Sequence, residues 1–103
     1  MILTNIEYIP GKDIIEHYGI VTGSTVRSTN VGIAFLSGLK NIIGGELTGY
    51  TNLLNEARDQ ALHRLSEHAV AKGANAVINI RFATSDLPSG AMEIYVYGTA
   101  VRV

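Results

Sequence analysis

The chain has 103 residues, no cysteine, 8 basic and 9 acidic side chains, an apolar share of 47% and 11 glycines. That composition suits one compact domain and excludes a disordered tail, a coiled coil and a disulfide scaffold. A net charge of −1 offers no dense positive field for a phosphate backbone, and no apolar run approaches the ~20 residues of a bilayer span.

Met1–Glu7 lacks a basic stretch followed by a long apolar one, so it does not read as a signal peptide. Without cysteine, thiol catalysis and thiolate metal sites fall away. The expectation is a single domain over residues 1–103, in the cytoplasm, with neither nucleic acid nor membrane as partner.

Two strands open the chain, Ile2–Ile6 and Ile14–Val26, the second interrupted by Gly19 and Gly23. Pro10-Gly11-Lys12-Asp13 between them is turn chemistry. Ser28-Thr29-Asn30 reads as a helix N-cap region. From Val31 the spacing becomes helical: Val31, Phe35, Leu36, Leu39, Ile42 and Ile43 share one arc, and Gly44-Gly45 stops the run.

A second helix is predicted from about Tyr50 to Lys72. Leu53, Leu54, Ala57, Ala61, Leu62, Leu65 and Ala69 fill one half of its circumference, and Gly73 caps it. Strands over Asn75–Thr84 and Ala91–Val103 close the sequence, separated by the polar break Ser85–Gly90. In the last strand Met92, Ile94, Val96, Gly98 and Ala100 point one way; Glu93, Tyr95, Tyr97, Thr99 and Val101 point the other.

The fold expected is α+β: an antiparallel sheet with two helices packed on one side. The last strand is long for so small a chain. Thirteen residues at ~3.4 Å each reach about 44 Å, whereas a compact chain of this size has a diameter near ~34 Å. Either Gly98 bends the strand or part of it lies on another subunit. Low charge and two apolar strand faces favour the second, so the chain is expected to partner itself, with a closed ring satisfying its strand edges.

An ordered set of short motifs spans nearly the whole sequence. Gly19-Ile20-Val21-Thr22-Gly23 comes first, then Gly44-Gly45 ahead of Tyr50, then Glu56-Ala57-Arg58. Gly73-Ala74-Asn75-Ala76-Val77 and Gly98-Thr99-Ala100-Val101 complete it. With these the chain resembles the YbjQ-like family, labelled "putative heavy-metal-binding". The resemblance implies an α+β subunit of a propeller-like homopentameric ring. It implies no known activity, and a metal ion enters by the family label alone.

The imidazoles available to a metal are His17, His63 and His68. His63 and His68 are five residues apart, about 140° around a helix, whereas paired ligands on a helix sit three or four apart. His17 and its neighbour Glu16 face opposite sides of a strand. His68 falls on the apolar arc, as a hydrogen-bonded core or interface histidine would. Heavy metals prefer thiolates, so none of the three histidines makes a convincing ligand.

Gly44-Gly45-Glu46-Leu47-Thr48-Gly49-Tyr50-Thr51 approaches the phosphate-loop pattern, but Tyr50 stands where the lysine belongs. The segment reads as a connector between helices, with a small anion at the following helix N-terminus as the alternative. Arg58 and Arg64 border the apolar half of the second helix and Lys72 ends it. They line an anionic ligand or snorkel along the surface. Gly44, Gly45, Tyr50 and Arg58 are therefore the candidate ligand residues, for a small ligand of unknown identity.

No nucleophile motif occurs. The sequence reads as an oligomeric binding or scaffold module, holding a small ligand or ion in clefts between subunits. A heavy-metal-binding protein and a small enzyme with active sites between subunits are the alternatives.

Overall fold

A computed structural model describes residues 1–28, 42–43 and 46–103. Its described elements run in the order β1 (Ile2–Leu3), β2 (Glu16–Ser28), β3 (Ile42–Ile43), β4 (Glu46–Leu47), α1 (Thr48–Ala71), β5 (Ala76–Leu87), a 3-10 turn (Pro88–Gly90) and β6 (Ala91–Arg102). The four-stranded sheet has the order β1-β5-β6-β2, and β3 pairs with β4 separately.

The chain is α+β, with two corrections to the expected arrangement. The sheet is mixed, because β1 lies parallel to β5 through Ile2↔Ala76 and Leu3↔Val77, while β5–β6 and β2–β6 are antiparallel. Alternation assigns residues to faces but carries no information about strand direction. Secondly, α1 is the one α-helix among the described residues. Ile42 and Ile43, placed by their spacing at the end of a first helix, instead pair antiparallel with Leu47 and Glu46. Two apolar residues in succession satisfy either period. The rest of that expected helix, residues 31–41, lies outside the described residues.

Helix α1 buries Ala57, Ala61, Leu65 and Ala69, four residues apart, against Val21, Val96 and Ala100 of the sheet. The three alanines keep the helix low on the sheet. Gly23 lets it come lower: a Cβ there would collide with the Ala61 carbonyl oxygen and stand 2.6 Å from the Leu65 nitrogen. Two side chains of β2 tie down the same seam. The buried Thr25 hydroxyl donates to Ala57 O at 3.0 Å, and Arg27 Nη2 donates to Gln60 Oε1 at 2.9 Å.

The helix ends as its sequence implies. Gly73 has φ +88°, its N–H bonds Val70 O at 2.9 Å, and the Ala74 N–H bonds Ala69 O at 3.1 Å. This pair of bonds is a Schellman motif, satisfying carbonyls the helix would otherwise strand.

On the opposite sheet face Ile9 covers Ala76, Ile78 and Val101, with Ile14 and Val103 alongside. That second cluster lies at one end only. Further along, the face carries Ile20, Val26 and Tyr97, all exposed, together with Tyr95, whose ring centroid is 5.5 Å from that of Tyr97. Among the described residues no element covers this part of the sheet.

Candidate functional site

Strand β5 changes character along its length. Ala76, Val77, Ile78 and Ile80 are buried, whereas every residue from Arg81 to Leu87 is exposed. The change falls at a β-bulge: Ile78 pairs with Thr99 and Arg81 with Tyr97, leaving Asn79 and Ile80 opposite Gly98. Asn79 has φ +55°, the one positive φ of a non-glycine among the described residues. Asparagine tolerates that region better than most residues, at a cost of roughly 1 kcal/mol. Gly98 makes room for the bulge, since a Cβ there would stand 2.7 Å from Val77 Cγ1 and 2.9 Å from Ile78 O.

The N-terminal segment locks onto the bulge beyond β1. Thr4 N–H bonds Val77 O at 3.0 Å, Ile80 N–H bonds Thr4 O at 3.1 Å, and Asn79 N–H bonds Ile6 O at 2.9 Å. Arg81 adds a fourth tie, its Nη1 donating to Asn5 O at 2.6 Å and to Ile80 O at 2.9 Å. These bonds fix the guanidinium against the chain while its Nε and Nη2 have no partner among the described residues.

Two clefts share Asn5 and Arg81 in their walls. The larger, about 450 Å³, is lined by Leu3, Thr4, Leu62, Ile80 and Phe82 in addition. The smaller, about 320 Å³, is lined by Ile6, Glu7, Tyr8 and Asn79 in addition. Both volumes fall within the range of small-molecule sites, and the larger cleft has the expected mix of apolar wall and few polar groups. Bulges and left-handed non-glycine residues gather at such sites because they re-aim side chains. Here the bulge turns Arg81 onto the face of Tyr97 while Phe82 shares the helix side with Val96.

The residues singled out in the sequence lie elsewhere. Arg58 is exposed on α1 and donates through Nη1 to Asn55 Oδ1 at 3.1 Å. Tyr50 belongs to the first turn of α1. Gly44 and Gly45 lie outside the described residues, so the four candidate ligand residues are not brought together by any described contact. Glu46 and Leu47, read as part of a connector between helices, form β4.

His63 Nε2 lies 2.6 Å from Glu67 Oε1 on the exposed side of α1. His17 is exposed near the start of β2, opposite Val101. His68 is exposed as well, and its Nδ1 accepts the Thr22 N–H at 3.1 Å.

That last bond belongs to a stripe. Arg64, His68 and Lys72 follow at four-residue intervals on α1, and each reaches the free edge of β2. Arg64 Nη1 donates to Ser24 O at 2.6 Å, His68 takes the Thr22 N–H, and Lys72 Nζ donates to Tyr18 O at 3.4 Å. The edge expected to lie open is thus partly capped by the helix's own polar side chains, a recognised guard against unwanted strand pairing.

Comparison with known proteins places the chain in a family. It matches the family described as "Putative heavy-metal-binding" across residues 1–103. A UPF0145 protein of Hahella chejuensis is 61% identical over 101 residues, covering 98% of this chain and 97% of the relative. UPF0145 proteins of Clostridium novyi and Halorubrum lacusprofundi are 54% and 52% identical over 103 residues, each covering 100% of this chain and 99% of the relative. The chain belongs to the UPF0145, or YbjQ-like, family. The crystal structure of a protein of unknown function from Pediococcus pentosaceus, assigned to the DUF74 family, shares the fold at a TM-score of 0.68 and 15% identity, covering 100% of this chain and 97% of that one.

The metal in the family's description finds no fitting donor set here. A soft metal wants thiolates, and the chain has no cysteine. Among the described residues no three of His, Cys, Asp and Glu come together. His68 spends Nδ1 on a backbone amide and His63 pairs with Glu67, so neither converges on a partner histidine.

Proposed function

We propose that the chain is one subunit of a cytoplasmic homo-oligomeric binding or scaffold module, a pentamer in the arrangement its family resemblance implies, with the β5 clefts as its ligand-holding surface. The outer half of β5 carries this reading. Register pairing with β1 stops at Val77, and Arg81–Leu87 stand exposed with Phe82 and Leu87 among them.

Size supports it. The radius of gyration is 16.6 Å and the longest extent 51 Å, whereas a compact chain of this length has a radius near ~13 Å. The accessible surface is 6398 Å², against about 5,600 Å² for a folded monomer of this mass. A strand whose outer edge has no neighbour invites pairing with another chain. A closed ring of copies satisfies every such edge at once.

Native mass spectrometry of the untagged protein tests the reading. The expected result is a defined multimer, falling to smaller species in the Ala83→Lys/Thr84→Lys variant, where two exposed positions of β5 gain charge. A single-chain mass for both proteins would remove the reading.

A further inference from the structure

We infer that the open face of the sheet, opposite α1, binds the same face of a second copy across a two-fold axis, with Arg81 of each copy paired to Glu93 of the other. This rests on the reading of the chain as a homo-oligomer, and concerns a surface distinct from the free edge of β5.

Register sorts the side chains of this face. On β5 and β6, Arg81 lies opposite Tyr97 and Ser85 opposite Glu93, and Val26 of β2 flanks Glu93 from the other side. Over positions 81–87 of β5, 93–99 of β6 and 20–26 of β2, alternation leaves two charges on the face, one of each sign. Ser85 Oγ donates to Glu93 Oε1 at 3.3 Å, which keeps the carboxylate there. Neither charge meets an opposite one, since the ion pairs among the described residues are His63–Glu67 and Arg102–Glu16. Tyr95 and Tyr97 lie between the two charges, and Tyr97 and Val26 are exposed.

One positive and one negative group at opposite ends of a face match their own two-fold image. Glu93 is four residues from Tyr97 along β6, and Arg81 is one strand across from Tyr97. At ~3.4 Å per residue and ~4.8 Å between strands, a two-fold axis bisecting the Arg81–Glu93 line crosses the strands of facing copies at roughly 40°. Twisted sheets pack face to face at close to that angle, ~30°. Pairing the charges therefore also sets the two sheets where their side chains interdigitate. The axis passes beside Tyr95, so this ring meets its own copy, and Tyr97 comes near Val26 of the second copy. Burial of these side chains drives association, and the flanking charges fix which way round the copies meet. An unrelated partner would place no such constraint on the two charges.

Sedimentation velocity with charge-reversal variants tests this. A two-fold contact doubles whatever the β5 edge assembles, so the unaltered protein should contain an even number of chains. Glu93→Arg sets arginine against arginine and Arg81→Glu sets glutamate against glutamate; each should halve that number. The double reversal should restore it. Asp59→Arg on the exposed side of α1 makes the same change of charge as Glu93→Arg and should leave the number whole. Circular dichroism confirms that each variant is folded. Arg81 also ties the bulge to Asn5 O, so Glu93→Arg against Asp59→Arg decides the matter should Arg81→Glu unfold. An odd number of chains, a whole assembly in Glu93→Arg, a folded double variant that stays halved, or halving by Asp59→Arg would overturn the inference. A multimer that Glu93→Arg leaves whole refutes this contact alone, whereas a dimer that Glu93→Arg splits upholds the contact and refutes the ring.

Discussion

Replacing Gly23 with alanine probes the closest approach in the fold. The added methyl would collide with the Ala61 carbonyl oxygen and lie 2.6 Å from the Leu65 nitrogen and 3.2 Å from the Ala61 carbonyl carbon. All three obstacles are helix backbone, so no side chain can swing aside. Restoring ordinary contact at about 3.5 Å lifts α1 by roughly 1 Å, a gap that forfeits a quarter to a half of the dispersion energy across it. Overpacking of this kind costs about 1–3 kcal/mol by itself. The lift also strains the Thr25–Ala57 and Arg27–Gln60 bonds on the same seam, each worth about 1 kcal/mol. The sum is about 3–5 kcal/mol, a large part of the ~5–15 kcal/mol that holds a domain of this size folded. In urea, with a slope near ~1.5 kcal/mol/M, the unfolding midpoint should fall by roughly 2–3 M. Circular dichroism at fixed protein concentration reads it, because the stability of any assembled form depends on concentration. A midpoint within ~0.5 M of the unaltered chain would show that the helix does not rest on Gly23.

Leu65 is fully buried while Leu62 is only partly so, at the wall of the larger cleft. Leu65→Ala should therefore cost about 2–5 kcal/mol and Leu62→Ala clearly less, as measured by urea denaturation. Thr25→Val, losing the hydroxyl bonded to Ala57 O, should cost about 1 kcal/mol, with Thr25→Ser recovering most of it. Removing the β2 edge guard in Arg64→Ala/His68→Ala/Lys72→Ala should raise light scattering with time at concentrations where the unaltered chain stays clear; equal scattering would show that the stripe guards nothing. After dialysis against zinc, elemental analysis should find less than one metal per chain and no further loss in His63→Ala, whereas a stoichiometric ion abolished by that change would contradict the reading of the histidines.

Much of this fold could be read from periodicity. The predicted helix Tyr50–Lys72 is observed as Thr48–Ala71, and its apolar half includes the buried stripe Ala57, Ala61, Leu65 and Ala69. The division of β6 into a face with Ile94, Val96 and Ala100 and a face with Tyr95 and Tyr97 holds, since helical and strand periods assign sides directly. The polar stretch after Thr84 was a weaker signal. Strand β5 continues to Leu87, because pairing with β6 satisfies its backbone whatever side chains it carries.

Partnership between distant segments is a different kind of information. Nothing in Ile2–Leu3 specifies a parallel neighbour, and β1 reads equally well as the edge of either strand direction. The bulge at Asn79 was hidden because no glycine marks it; the glycine that permits it, Gly98, stands on the other strand. Arg81 is unmarked in the sequence for the same reason. The signal available is a single charge inside an otherwise uncharged stretch, 76–82, which needs the fold to show what it faces. His68 was expected among core or interface histidines, and it does make a specific hydrogen bond, but at an exposed strand edge. Arg64, His68 and Lys72 share a helical spacing that the sequence displays openly; only the position of β2 turns that spacing into an edge cap.

The proposed assembly rests on the exposed outer half of β5 and on the extended outline of the chain. Sedimentation velocity across a dilution series of the unaltered protein addresses that point most directly. A single species several times the 11.0 kDa chain mass, stable on dilution through the micromolar range, is the expected result. A well-behaved boundary at the mass of one chain throughout would contradict it.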